Sequence, residues 1–157
     1  MASTQLEDPG RFALIIPTHE GTAFLRRTLD YFGEIGYAGR LVLADDSSGE
    51  HRSFVESAAG LYPELAIEFH AYPHGTRFLA KMIATLERID ARFVMFCAHD
   101  DFVVPEALER LVARLDADPG LAATRGQVAR FKLLGGTDIR LIPHPMKPPP
   151  VPSSSSP

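Results

Sequence analysis

The sequence predicts a doubly wound α/β domain, a mostly parallel sheet sandwiched by helices. Three observations carry that reading. Between Phe12 and Leu115 a short apolar run is followed, four times over, by a longer stretch whose apolar residues recur at helical spacing. Strands that alternate with helices in this way pair in parallel, because parallel neighbours need crossover connections and helices supply them. Each apolar run also ends in polar residues, as expected where strand ends converge on a binding edge.

The first run, "FALII" (12–16), is continuously apolar with a β-branched pair, the pattern of a strand buried on both faces, and it stops at Pro17. In "TAFLRRTLDYF", Phe24, Leu25, Leu29 and Phe32 fall at helical spacing with arginines opposite, and Gly33 and Gly36 close the helix. "LVLA" (41–44) is the second strand, "HRSFVESAA" a weaker second helix ending at Gly60, and "LAIEF" (65–69) a third strand. The third helix lies between Gly75 and Asp90, with Phe78, Leu79, Met82, Ile83 and Leu86 as its expected buried face. "RFVMFCA" is the fourth strand. The fourth helix opens on Pro105, buries Leu108, Leu111, Val112 and Leu115, and ends before Pro119-Gly120. Beyond Leu121 the rhythm fades: "LAATRGQVARFKLL" has room for one or two short strands, and from Gly135 no helix or strand pattern stands out. The expected organisation is thus a domain over 11–134 and a disordered Pro/Ser-rich tail over 135–157.

Composition narrows the function. A net charge of −4 with basic residues scattered singly or in pairs gives no electrostatic footprint for nucleic acid. No apolar run approaches the roughly 20 residues of a membrane span, and "MASTQLEDPGR" lacks a signal-peptide core, so the expected location is cytoplasmic. The single cysteine, Cys97, sits inside an apolar run and reads as a small buried hydrophobe.

The four strand ends carry Pro17-Thr18-His19-Glu20, Asp45-Asp46-Ser47-Ser48, His70-Ala71-Tyr72-Pro73-His74 and His99-Asp100-Asp101. One edge therefore gathers four aspartates, a glutamate and four of the six histidines. Bland readings exist for most of them: Asp45 to Ser48 as a cap on the second helix, His19 and Glu20 as capping or solvent-facing residues, His70 and His74 as turn residues. Asp100-Asp101 resists such a reading, because the next helix starts later and adjacent carboxylates repel unless a cation sits beside them. The edge is too acidic for a bare phosphate and has no glycine-rich phosphate loop. Carboxylate and diphosphate oxygens together are hard ligands that suit Mg²⁺ or Mn²⁺, which points to metal-assisted handling of a nucleoside diphosphate.

The motifs "LIIPTHE", "LVLADDSS" and "FCAHDDFVVPEAL", in that order, resemble the family-2 glycosyltransferases of the GT-A fold, inverting enzymes that use nucleotide-sugar donors. The resemblance runs from about Phe12 to Leu115 and more weakly to Phe131. It implies a nucleotide-sugar pocket lined by Pro17, Thr18 and Glu20, with Asp45 or Asp46 on the base. Arg77 and Lys81, one turn apart, stand where this family offers donor contacts, though both also suit the solvent face of an amphipathic helix. Asp100 and Asp101 would hold the diphosphate's metal, with His99 where relatives tend to carry another acid. If His99 is a ligand, Mn²⁺ is favoured over Mg²⁺.

An inverting transfer also needs a general base from a later, acceptor-building segment. After the fourth helix begins its last turn, the only acids are Asp116, Asp118 and Asp138, none in a convincing context. The expectation is a donor-binding portion, apparently truncated on its C-terminal side, with the acceptor half absent or supplied by a partner chain. Two alternatives compete: a non-catalytic remnant or partner-binding domain, and a phosphate-receiver signalling module. The receiver would need a lone aspartate after the third strand, where the sequence has His70.

Overall fold

The computed structural model describes residues 6–135 and 138–142. Its order is β1 (Phe12–Thr18), α1 (Thr22–Glu34), β2 (Arg40–Asp45), α2 (Gly49–Leu61), β3 (Ala66–Ala71), α3 (Phe78–Leu86), β4 (Phe93–Phe96), α4 (Pro105–Ala117), β5 (Arg130–Gly135) and β6 (Asp138–Ile142). The first four strands form a wholly parallel sheet in the order β3-β2-β1-β4. All four strand–helix units predicted from the sequence are present.

Side chains alternate across the central strands, so each strand feeds both faces. On one face Phe12, Leu14, Ile16, Leu41 and Leu43 meet Leu25, Leu29 and Phe32 of α1, Phe54, Val55 and Ala58 of α2, and Leu108 and Val112 of α4. On the other face Ala13, Ile15, Val42 and Ala44 meet Tyr72, just after β3, and Met82 of α3.

Two expectations need correction. The predicted inner face of α3 is largely outside: Leu79 is 71% exposed and Ile83 58%, with Phe78 and Leu86 also exposed, while Lys81, Met82 and Thr85 point inward. Polar partners fix this rotation, as Thr85 Oγ1 lies 2.8 Å from the Tyr72 hydroxyl and Lys81 finds a buried carboxylate. The second concerns residues 138–142, expected to lie in a structureless tail. They form β6, paired antiparallel with β5. Charged residues interrupt "RFKLLG" and "DIRLI", which hid a hairpin whose Phe131 and Ile142 remain exposed. The Pro/Ser-rich stretch after Ile142 lies outside the described residues.

Arg40, at the start of β2, ties the sheet to the segment after α3. Its guanidinium holds Glu68 of β3 at 2.7 Å and Asp90 at 3.0 Å. Both carboxyls are held below their ordinary values. For Glu68, burial works upward, but hydrogen bonds from His70 and Arg40 outweigh it; for Asp90 the hydrogen bond from Arg40 leads. Depressed folded-state values contribute stability that is fully present above the ordinary values of 4.5 and 3.8 and is lost as pH falls through the folded values. Arg40→Met should therefore be less stable than the parent at about pH 6, with the gap narrowing as pH falls below the ordinary carboxylate range, as read by urea denaturation over a pH series. In the core, Leu29 is fully buried, and Leu29→Ala should cost about 2–5 kcal/mol in the same assay.

Candidate functional site

The ends of β1 and β2 lock together at the carboxyl edge of the sheet. Thr18 stands opposite Asp45 in the strand register, and its hydroxyl donates to Asp45 Oδ1 at 2.7 Å. Ser47 donates to the same oxygen at 2.6 Å. Arg52 of α2 brings its Nε to 2.7 Å from Asp45 Oδ2 and donates to the Tyr72 carbonyl at 2.6 Å. Asp45 is fully buried, with Oδ1 hydrogen-bonded and Oδ2 held by the Arg52 ion pair without a hydrogen bond.

Asp46 is buried beside it and pairs through Oδ1 with the ammonium of Lys81, which also donates to the Thr18 carbonyl at 2.7 Å. Its other oxygen lies 3.2 Å from Nδ1 of the half-exposed His19. A buried carboxylate without a partner carries an effective penalty of several kcal/mol. Each of these adjacent acids instead has its own cation, the half-buried Arg52 for Asp45 and the buried Lys81 for Asp46. Lys81 is thus not the solvent-facing residue that helical spacing allowed, since it anchors Asp46 from beneath.

Glu20 and Gly21 turn the chain from β1 into α1 through the left-handed region, at φ 57° and 75°. The Glu20 carboxylate accepts from the Ser48 backbone N–H at 3.0 Å and the Ser48 hydroxyl at 2.9 Å. It so caps α2 from another loop. Ser48 makes no side-chain cap of its own, so the reading of Asp45 to Ser48 as a helix cap gives way to a buried network. His51 stands 3.1 Å from Glu20, and the rings of His19 and His74 stack at 5.5 Å. Burial works to raise the Glu20 carboxyl, but hydrogen bonds from Ser48 and the proximity of His51 and His74 outweigh it and hold it below its usual value.

The turn after β4 is different. Asp101 N–H donates to the Ala98 carbonyl at 3.0 Å, closing a tight turn. Below it the buried Cys97 thiol is pushed up to about 12, first by burial and then by Asp101 and Asp100. Both aspartates are exposed, and among the described residues neither carboxylate has a hydrogen-bond or ion-pair partner. His99 packs its ring edge-on to Phe24 at 6.0 Å. A Cβ on Gly21, itself at φ 75°, would lie 2.9 Å from His99 Nε2 and push that ring aside.

Among the described residues, no three His, Cys, Asp or Glu side chains gather as a metal-binding group. The chain alone therefore does not assemble His99, Asp100 and Asp101 into a closed ligand set. Two unpartnered carboxylates do fit a hard divalent cation as part of a shell that diphosphate oxygens and water complete. Of the other expected residues, Pro17 is half-buried on β1, and Arg77 is exposed at the start of α3 with no partner among the described residues. His70 is not a turn residue: it lies within β3, buried and paired with Glu68. Sequence reading missed Arg52 and His51, and took Ser47 only as part of a helix cap. Their signal was weak, because helical spacing alone does not show which polar residue turns back toward a strand end.

The profile of Glycosyl transferase family 2 matches residues 13–137. The chain belongs to glycosyl transferase family 2, and its sheet and helices are the N-terminal portion of a GT-A fold. No curated protein matches it. Among solved structures it is similar to the mannosyltransferase PcManGT from Pyrobaculum calidifontis in complex with GDP-Man and Mn²⁺, at 21% identity and TM-score 0.58, over 69% of this chain and 33% of that one. It is also similar to S. aureus TarS, at 20% identity and TM-score 0.54, over 68% of this chain and 20% of that one. The chain thus spans a third or less of these neighbours. No helix among the described residues is long and apolar enough to cross a membrane.

Removing one partner of a buried ion pair should reveal what it holds. Lys81→Met leaves Asp46 uncompensated and should cost about 3–5 kcal/mol in urea denaturation. Adding Asp46→Asn to that variant should recover part of the loss, because the orphaned charge is then gone.

Proposed function

We propose that this chain binds a nucleoside diphosphate sugar together with Mn²⁺ or Mg²⁺, as the donor-binding part of a glycosyltransferase. The observation that carries this reading is a contrast in charge. Asp45 and Asp46 are neutralised inside the fold by Arg52 and Lys81, whereas Asp100 and Asp101 on the same edge are exposed and unpartnered. A site that stabilises its own buried acids but leaves two outward-facing ones uncompensated is suited to a ligand that brings a cation.

Asp46, rather than Asp45, is the residue for the base, since its Oδ2 faces the loop edge beside His19 while both oxygens of Asp45 are engaged. Thr18, Glu20 and Pro17 shape the pocket wall next to it. Arg77 is an unpartnered guanidinium at the start of α3, suited to a phosphate oxygen. Asp100 and Asp101 hold the cation, with His99 a further nitrogen close by. When bound, such a cation supplies Lewis-acid stabilisation of charge on the departing nucleoside diphosphate.

Glycosyl transfer needs a carboxylate base on the acceptor. Asp116 does not suit it, because Arg11 and Arg92 both bind its side chain. The base and the acceptor site are proposed to come from further residues or from a partner chain. PcManGT, crystallised with GDP-Man and Mn²⁺, supports the same ligand class by similarity of fold.

Thermal unfolding with UDP, GDP, dTDP and CDP, each with and without Mn²⁺, tests the proposal. Ligand at one hundred times its dissociation constant should add about 2.7 kcal/mol, and Asp101→Ala should abolish the metal-dependent part. Absence of a metal-dependent shift with every nucleotide would refute it and favour a partner-binding domain without nucleotide chemistry.

A further inference from the structure

The segment from Ala98 to Val104 has no helix or strand, so its carbonyls lack the ladder partners that regular structure provides. Most of them find donors elsewhere, and three donors come from a single helix. Thr28 Oγ1 of α1 donates to the His99 carbonyl at 2.7 Å. Tyr31 Oη donates to the Val103 carbonyl at 2.9 Å. Arg27 Nη2 reaches the Asp100 carbonyl at 3.4 Å. Between them the Ala98 carbonyl takes the Asp101 N–H, and the Cys97 thiol points at the Asp101 carbonyl.

Rings reinforce the same contact. The Arg27 guanidinium lies 5.4 Å from the centroids of both Phe24 and Phe102, and Tyr31 meets Phe102 edge-on at 4.9 Å. Thr28 is fully buried on a helix face otherwise formed by Leu25, Leu29 and Phe32. Burying a hydroxyl costs free energy unless it is hydrogen-bonded, and the His99 carbonyl is its partner. A polar residue at that position is unnecessary for packing α1 on the sheet.

From these contacts we propose that Arg27, Thr28 and Tyr31 are positioning residues for the donor site. They fix the backbone on both sides of Asp100 and Asp101 so that two mutually repelling carboxylates stay aimed outward without a partner. None of the three contacts either carboxylate, so each acts through the turn's backbone. The inference rests on the proposed nucleotide and cation binding and adds to it the device that sets the acids in place.

Thr28→Val keeps shape and removes the donor, Tyr31→Phe removes only the hydroxyl, and Thr28→Ser restores the donor. Two measurements on folded protein are compared: amide hydrogen exchange across 98–103, and the dissociation constant of nucleoside diphosphate in Mn²⁺ against that in EDTA. Thr28→Val and Tyr31→Phe should speed exchange in the turn and weaken binding in Mn²⁺ by about tenfold, within the range for losing the donor to a buried carbonyl. Binding in EDTA should be unchanged, and Thr28→Ser should return both readouts toward the parent. If the parent binds in a Mn²⁺-dependent way and the two variants match it in affinity and exchange, the positioning role is overturned while the donor-site reading stands. If the parent shows no Mn²⁺-dependent binding, the donor-site reading itself fails and this role fails with it.

Discussion

The compensation of two adjacent buried acids governs this structure. β2 ends in Asp45, Asp46 follows it, and both side chains lie in the interior at the edge of the sheet. Such a pair is tolerated only if cations reach it without themselves remaining in water. α2 delivers Arg52 to the first and α3 delivers Lys81 to the second. The two helices lie on opposite faces of the sheet, so the acid pair is gripped from both sides. The Thr18 carbonyl and hydroxyl join the same network and tie β1 into it.

That requirement explains a surface that hydrophobic pattern alone does not. An isolated amphipathic helix with the composition of α3 would bury Leu79, Ile83 and Leu86. Here Lys81, Met82 and Thr85 face inward, and the larger apolar residues stay in contact with solvent. The rotation exchanges some apolar burial for a satisfied ion pair and the Tyr72–Thr85 hydrogen bond. On edge strand β4, Val94 and Phe96 are also partly exposed. Local charge compensation at the binding edge thus sets the orientation of a whole helix.

The alternation of apolar runs and helical patterns made the sheet and its four crossovers legible in the sequence, because burial on both faces leaves a nearly continuous apolar signature. The strand ends were legible for the same reason: the polar residues stand where each run stops. What spacing did not reveal was direction. Nothing in "RFLAKMIATL" shows that Lys81 turns inward, because that depends on a carboxylate 35 residues earlier. Thr28 was overlooked on the same ground, acting on a backbone carbonyl 71 residues away, whereas Arg52 reaches Asp45 only seven residues back and was overlooked because spacing does not show that it turns toward the strand end. His70 went the other way, since a strand two residues longer than its apolar core took it from the turn into the sheet.

The acids along the edge therefore divide by how they are held. Asp45 and Asp46 are fixed by cations of the fold and so give a stable wall, with Asp46 Oδ2 beside the half-exposed His19. Glu20 is fixed by Ser48 and His51 and organises the start of α2. Asp100 and Asp101 are fixed only through their backbone, which is the arrangement that leaves a carboxylate's full charge available. Two like charges side by side are unfavourable in the unliganded protein, and a cation that relieved the repulsion would bind more tightly for it. The strength of that effect depends on how little the turn relaxes, which is where the hydrogen bonds from α1 enter the proposed site.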